Sequence, residues 1–351
     1  MLRRKIIEVY LRLKHGFKIR KPVFLLRLFK NYISILAFKK RPLKYIEFIV
    51  DYSCNLKCEH CFAEKLKKPA YTKRMQVEDY KRVASEAMEL GAIDFGLQGG
   101  EPFLFLDLTE KIIKACRPSM NLIALTTNAT LINQSNLKRL RAFGLDNLAI
   151  SLDSGIAEEH DRFRNAKGTY DKVIDAILLA ESLGIGVIVN TTLSHDNIRS
   201  EGFLRLIDFA STKKILLNTI LAAPSGKWDA KEDLLLTQED LRYLGKLREK
   251  HGFLRRDVDS NYVEWGCGAV KEALYITPYG DVLACPFIHI SLGNIFNEPL
   301  RVIRERALEI NYFSTYHKKC LAGEDREFIE KHMSRTFNQL NLPIGFEKGF
   351  K

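Results

Sequence analysis

The sequence predicts an α/β chain: a partial (β/α)6 parallel barrel with a small C-terminal hairpin-and-helix module and an N-terminal helical arm. Three observations carry that expectation. Six short apolar runs recur between residues 45 and 222. Stretches of helical period separate them, the pattern of repeated β/α units. After "AAPSGKWD" (222–229) the rhythm breaks, and a hairpin pattern takes over. The division that follows is an arm over 1–44, a core over 45–228 and a smaller module with its tail over 229–351.

The arm carries the charge. The chain has a formal net charge of +12, yet residues 1–44 hold fourteen Lys/Arg and a single acid, Glu8. The remaining residues hold 41 Lys/Arg against 42 Asp/Glu. A basic body would suggest a nucleic-acid groove; a basic arm on a neutral body does not, and no nucleic-acid partner is expected. The start, "MLRRKIIEVYLRLKHGFKIRK", has no uninterrupted apolar stretch and no small-residue cleavage site. The run "VFLLRLFKNYISILAF" (23–38) is too short to span a bilayer and contains Arg27 and Lys30. Its polar residues, Arg27, Lys30, Asn31 and Ser34, fall at i, i+3, i+4 and i+7, one polar stripe on an apolar helix. Such a helix fits either an interfacial membrane element or an arm packed on the barrel. Seven cysteines in 351 residues argue against a disulfide framework. The expected setting is cytoplasmic with reduced thiols, leaning towards the inner membrane face.

The core follows in order. "YIEFIV" (45–50), "AIDFGLQG" (92–99), "NLIALTTN" (121–128), "NLAISLD" (147–153), "GIGVIVNTTL" (184–193) and "ILLNTILA" (215–222) have strand length and apolar character on both faces. Buried parallel strands look like this. Helical stretches lie between them, such as "QVEDYKRVASEAMELG" (76–91), which stops on Gly91. Ligand chemistry is then expected at the C-terminal ends of the strands. Cys116 reads as a helix-packing residue.

"DYSCNLKCEHCF" (51–62) places Cys54, Cys58 and Cys61 directly after the first strand. Thiolates this close are ligands for zinc or for an iron–sulfur cluster. A structural zinc wants four closed ligands, and His60 is poorly placed to be the fourth. Three cysteines suit a [4Fe–4S] cube with one iron left for a substrate or cofactor.

From this motif the chain resembles the radical S-adenosylmethionine (SAM) superfamily over roughly 45–225. The Cys-x3-Cys-x2-Cys signature is present as "CNLKCEHC", and "GGEP" (99–102) follows the second strand. The resemblance implies that Gln98, Gly99, Gly100 and Glu101 meet the amino group of SAM. It implies that Ser151 and Arg164 hold its carboxylate, a match for a guanidinium fork. Asn128 and Asn190 would lie near the ribose, and His60 would cover the adenine. The implied activity is reductive cleavage of SAM to a 5′-deoxyadenosyl radical, which takes hydrogen from a substrate. An electron donor such as flavodoxin or ferredoxin is implied as partner. No residue of the chain is assigned a catalytic role.

In the last module, "CGAVKEALYITPYGDVLAC" (267–285) reads as a hairpin turning at "PYGD", with a helix near 298–309. Cys267, Cys285 and the later Cys320 are similar to the ligands of SPASM and twitch auxiliary-cluster modules. Two [4Fe–4S] clusters are therefore expected. Gly323 stands where a further cysteine would complete a Cys-x2-Cys pair. The second cluster is then left with three thiolates, or with a ligand drawn from His317, Glu324 and Asp325. The basic arm points to a hydrophobic, lipid-like substrate at a membrane surface. A ribosomal peptide is the alternative within the class, and a non-catalytic zinc scaffold the alternative outside it.

Overall fold

The computed structural model describes residues 20–256, 261–263 and 266–351. The expected arm beyond residue 20 towards the N-terminus lies outside the described residues. The elements are α1 (Pro22–Phe38), β1 (Tyr45–Ile49), α2 (Val77–Glu89), β2 (Asp94–Gln98), α3 (Leu106–Ala115), β3 (Leu122–Thr127) and α4 (Gln134–Ala142). Then come β4 (Asn147–Ser151), α5 (Ala157–Arg164), α6 (Thr169–Ser182), β5 (Gly186–Leu193), α7 (Glu201–Lys213), β6 (Leu216–Leu221), α8 (Gln238–Lys250) and β7 (Leu254–Arg256). The last part holds β8 (Ala273–Ile276), β9 (Asp281–Leu283), β10 (Ser291–Asn294) and α9 (Leu300–Leu308).

All six expected core strands are present and pair in parallel in sequence order. Phe48, Phe95, Ile123, Leu148, Val189 and Leu217 are fully buried, because a parallel strand is covered on both faces. Local signals close the helices. Asn133 and Thr237 cap α4 and α8 with reciprocal side-chain bonds, and Ser200 caps α7. Cys116 sits buried at the end of α3, as expected of a packing residue.

Two features go beyond the sequence reading. The short strand β7 adds to β6 in parallel. The hairpin β8–β9 forms with its turn at Gly280, but β8 also pairs in parallel with β1. The result is one ten-stranded sheet in the order β10-β9-β8-β1-β2-β3-β4-β5-β6-β7, eight of them parallel. The barrel is thus partial, and the last module is a continuation of its sheet.

Helix α1 lies across the N-terminal end of the barrel. Phe24 is buried with Ile93, Leu122 and Tyr262. The Asn31 amide donates to Gly91 O at 2.7 Å and to the Tyr262 hydroxyl at 2.7 Å. Arg27 donates to Ala92 O at 2.6 Å and Met88 O at 3.3 Å, and also to the Asn121 side chain. Lys21 pairs with Asp146. Part of the polar stripe therefore faces the barrel, where loop carbonyls at the strand starts need donors. Arg27→Ala should remove those donors and destabilise the protein by about 2 kcal/mol. A denaturant midpoint unchanged from the parent would show that these Arg27 bonds contribute no stability.

Candidate active site

The loop after β1 is tied down by the ends of its neighbours. Gly100 N–H donates to Asp51 O at 2.7 Å and Glu101 N–H to Ser53 O at 3.0 Å. The Asn55 amide donates to Thr130 Oγ1 at 2.8 Å. Glu59 N–H reaches Phe163 O at 3.1 Å, and Lys227 N–H reaches Cys61 O at 3.0 Å. Asp51 itself accepts from Ser53 N–H at 2.7 Å and pairs with Arg74. Burial opposes ionisation of Asp51, but these donors hold its carboxyl below the usual range.

Each thiol of this loop has N–H donors near it. Leu56 N–H stands 3.4 Å from Cys54 Sγ, and the Asn128 amide 3.6 Å. Arg164 reaches Cys58 Sγ at 3.7 Å. The Ala63 and Glu64 amides point at Cys61. Burial, and then crowding with Cys58 and Cys61, push the Cys54 thiol up to about 11. The Cys61 thiol is likewise raised, mainly by burial; bound cations beside Cys54 and Cys61 would supply the missing charge. No three His, Cys, Asp or Glu side chains among the described residues close on a single-ion site.

A cavity of about 680 Å³ runs from this loop down the barrel to α1. It is lined by Cys54, Cys58 and Cys61 and also by Cys267, Cys285 and Cys320. Of the residues expected around SAM, His60, Gln98, Gly99, Gly100, Asn128, Ser151, Arg164 and Asn190 line it. Gln98 Nε2 and His60 Nδ1 are buried there without a hydrogen-bond partner, as donors and acceptors awaiting a ligand would be. The ring of His60 stacks on Phe163 at 4.5 Å, and Trp228 lies 5.8 Å from it. Burial and then Arg164 drop the His60 pKa to about 3, so its ring is neutral under ordinary conditions.

Three expected residues behave differently in detail. Glu101 does not line the cavity. Its carboxylate accepts from Phe103 N–H at 3.1 Å, Thr127 Oγ1–H at 2.8 Å and Asn128 N–H at 2.8 Å. It holds the loop rather than presenting a free carboxylate. Asn128 accepts from Thr130 N–H at 3.0 Å and turns its amide towards Asn55, so it is a strand-end cap as well as a wall. Arg164 is buried and anchored on Asp153, at 2.7 and 2.6 Å. Burial opposes charge on Asp153, yet the guanidinium holds its carboxyl below the ordinary range. Asp153, Phe163 and Trp228 also shape the site, and the sequence does not single them out; their contacts with Arg164 and His60 do.

The second thiol set lies where β8 leaves the barrel. Cys267 N–H donates to His317 O at 2.6 Å, which brings it beside Cys320. Burial, then Cys267, raise the Cys320 thiol to about 12. The three non-cysteine candidates are otherwise engaged and do not line the cavity. Glu324 accepts from Arg256 at 2.7 Å and from Cys320 N–H at 2.5 Å, and His317 pairs with Asp325. A Cβ at Gly323 would stand 2.8 Å from Ala222 O, so a cysteine there would collide with the end of β6.

The Radical SAM superfamily model matches residues 49–210. The SPASM model, an iron–sulfur cluster-binding domain, matches residues 267–322. An AdoMet-dependent heme synthase of Nitratidesulfovibrio vulgaris is 24% identical over 84% of this chain and 88% of its own. The antilisterial bacteriocin subtilosin biosynthesis protein AlbA of Bacillus subtilis is 26% identical, over 72% of this chain but only 57% of its own. Streptococcus suis SuiB, solved bound to its precursor peptide SuiA, shares the fold at a TM-score of 0.60 and 18% identity. That likeness covers 82% of this chain and 70% of SuiB.

Gly100→Ala tests the tie between β1 and β2. Its Cβ would fall 2.1 Å from Ser53 O, so the two loops must separate. SAM affinity should drop at least about tenfold. Parental affinity in the alanine variant, measured by equilibrium dialysis, would show that the tie does not shape the site.

Proposed function

The chain belongs to the radical SAM superfamily and is an enzyme carrying a SPASM-type module, and we propose from that premise that it abstracts hydrogen from a mostly apolar substrate. The family supplies [4Fe–4S] clusters and SAM; the electron donor would be a low-potential carrier of the flavodoxin or ferredoxin class. A cluster held by the first loop would supply the electron for reductive cleavage of SAM. Cys54, Cys58 and Cys61 would hold that cluster, and Cys267, Cys285 and Cys320 a second one. Gln98, Ser151 and Arg164 would position SAM, and His60 with Phe163 would cover its adenine.

The observation that carries the substrate reading is the cavity. Both thiol sets open on the same 680 Å³ space, within the size range of small-molecule sites. Leu122, Ala124, Ala149, Ile188 and Leu216 give it apolar walls, although Lys44, Glu47, Asp94 and Arg255 also line the same space. Such walls keep water and stray hydrogen donors from a reactive carbon radical. A lipid-like molecule, or the apolar part of a larger one, fits them. The likeness to an AdoMet-dependent heme synthase supports a small-molecule substrate. The likeness to AlbA supports a second reading, a ribosomal peptide whose reacting residue enters the same space.

Replacing Cys54, Cys58 and Cys61 with Ala should abolish 5′-deoxyadenosine formation; retained product would defeat the assignment. Replacing Cys267, Cys285 and Cys320 should lower iron from about eight to about four per chain and leave some SAM cleavage. About four irons in the intact reconstituted protein would mean that the second cluster does not form. For the substrate, reduced enzyme is given cell fractions and 5′-deoxyadenosine is measured. A solvent-extractable, protease-resistant fraction should stimulate its formation. Stimulation that protease treatment destroys would favour the peptide.

A further inference from the structure

Helix α1 is built inside out for a helix on a protein surface. The side against the barrel uses Arg27 and Asn31 as hydrogen-bond donors beside Phe24, Leu28 and Tyr32. The other side shows Leu26, Phe29, Leu36 and Phe38 at 69, 66, 71 and 67% exposure, with Val23 and Ile33 also exposed. Six of the thirteen large apolar residues that are exposed among the described residues lie on this one helix. A surface helix ordinarily does the reverse and turns its apolar stripe to the core. A contiguous exposed apolar stripe marks an interaction surface.

The surrounding charge says what covers it. Lys30, Lys39, Lys40 and Arg41 are exposed along and just beyond the stripe. No Asp or Glu occurs between Glu8 and Glu47. A second copy would bring an equally basic arm against this one, which like-charge repulsion opposes. An anionic phospholipid surface satisfies both features, apolar insertion and cation attraction. We propose that the outward face of α1, centred on Leu26, Phe29, Ile33 and Leu36, docks the enzyme on anionic membranes. Docked in this way, the membrane lies against one face of α1 while the opposite face, through Phe24, Leu28 and Tyr32, is the floor of the cavity. No helix among the described residues is long and apolar enough to cross a membrane, so the contact is interfacial.

The test is flotation of the full chain with vesicles of phosphatidylcholine, with and without phosphatidylglycerol. It contains neither SAM nor substrate, so its outcome is separate from that of the hydrogen-abstraction reading. The parent should float with the anionic vesicles and partly resist high salt. Phe29→Asp with Leu36→Asp should weaken partition by about tenfold or more, because both side chains would meet acyl chains. Lys30→Glu, Lys39→Glu and Lys40→Glu together should weaken it on the order of a hundredfold at low salt. Leu340→Asp, at a residue even more exposed outside α1, should change nothing. Uncoupled SAM cleavage equal to the parent's shows that the α1 variants are folded. The proposal is overturned if the parent stays at the bottom of the gradient. It is equally overturned if the Phe29/Leu36 variant floats like the parent, which would place the anchor in residues 1–19. A dimer that depends on Phe29 and does not float would assign the face to a second copy instead.

Discussion

The backbone tie between the ends of β1 and β2 is the constraint on which the rest of the site depends. Two N–H groups, of Gly100 and Glu101, donate to two carbonyls, of Asp51 and Ser53. The approach is so close that no side chain fits at Gly100. Glu101 then cannot point outwards, and its carboxylate gathers the amides of Phe103 and Asn128. In this way one short contact aligns the first cysteine loop, the Gly-Gly segment and the end of β3. Buried backbone groups leave no slack here, since each must find a partner. The cysteine loop is irregular in itself. It is held in one shape because the segments that follow β2, β3, β4 and β6 each share a bond with it.

The pairing of β8 with β1 has a comparable effect at longer range. A hairpin two hundred residues later in the chain adds to the first strand, in register from Tyr45 opposite Ala273. Cys267 and Cys285 flank that hairpin and so arrive at the mouth of the barrel that Cys54, Cys58 and Cys61 already border. Gly323 packs against the end of β6 from the other side. One sheet thereby brings two thiol sets onto one cavity.

At the opposite end, α1 decides what the cavity becomes. Open, the barrel would let water in beneath the reacting groups. Phe24, Leu28 and Tyr32 close it, and Tyr32 meets Tyr262 edge to face at 5.5 Å. Loop carbonyls at the strand starts drew the helix's polar residues inwards. The apolar residues opposite them were left facing out. The same helix lines the cavity on one side and leaves an apolar face exposed on the other.

Much of this was legible in the residues themselves. Apolar runs of strand length named the six core strands, because burial on both faces leaves few polar positions. The spacing of Cys54, Cys58 and Cys61 named a cluster, because three thiolates within eight residues have few other uses. Turn chemistry at Gly280 named the hairpin. Other features were not legible, for a common reason: they are contacts between segments far apart in sequence. Leu254–Arg256 is too short and too basic to announce a strand, and it pairs only because β6 offers an edge. Glu101 reads as a ligand for an ammonium group, and only the tertiary structure shows that it also accepts from Phe103, Thr127 and Asn128. Asp153 reads as a motif residue until it is found anchoring Arg164. The stripe on α1 was visible as a pattern, but which side met the barrel depended on carbonyls donated by other segments. Local periodicity determines which elements form; the demand that every buried polar group find a partner decides how those elements face one another.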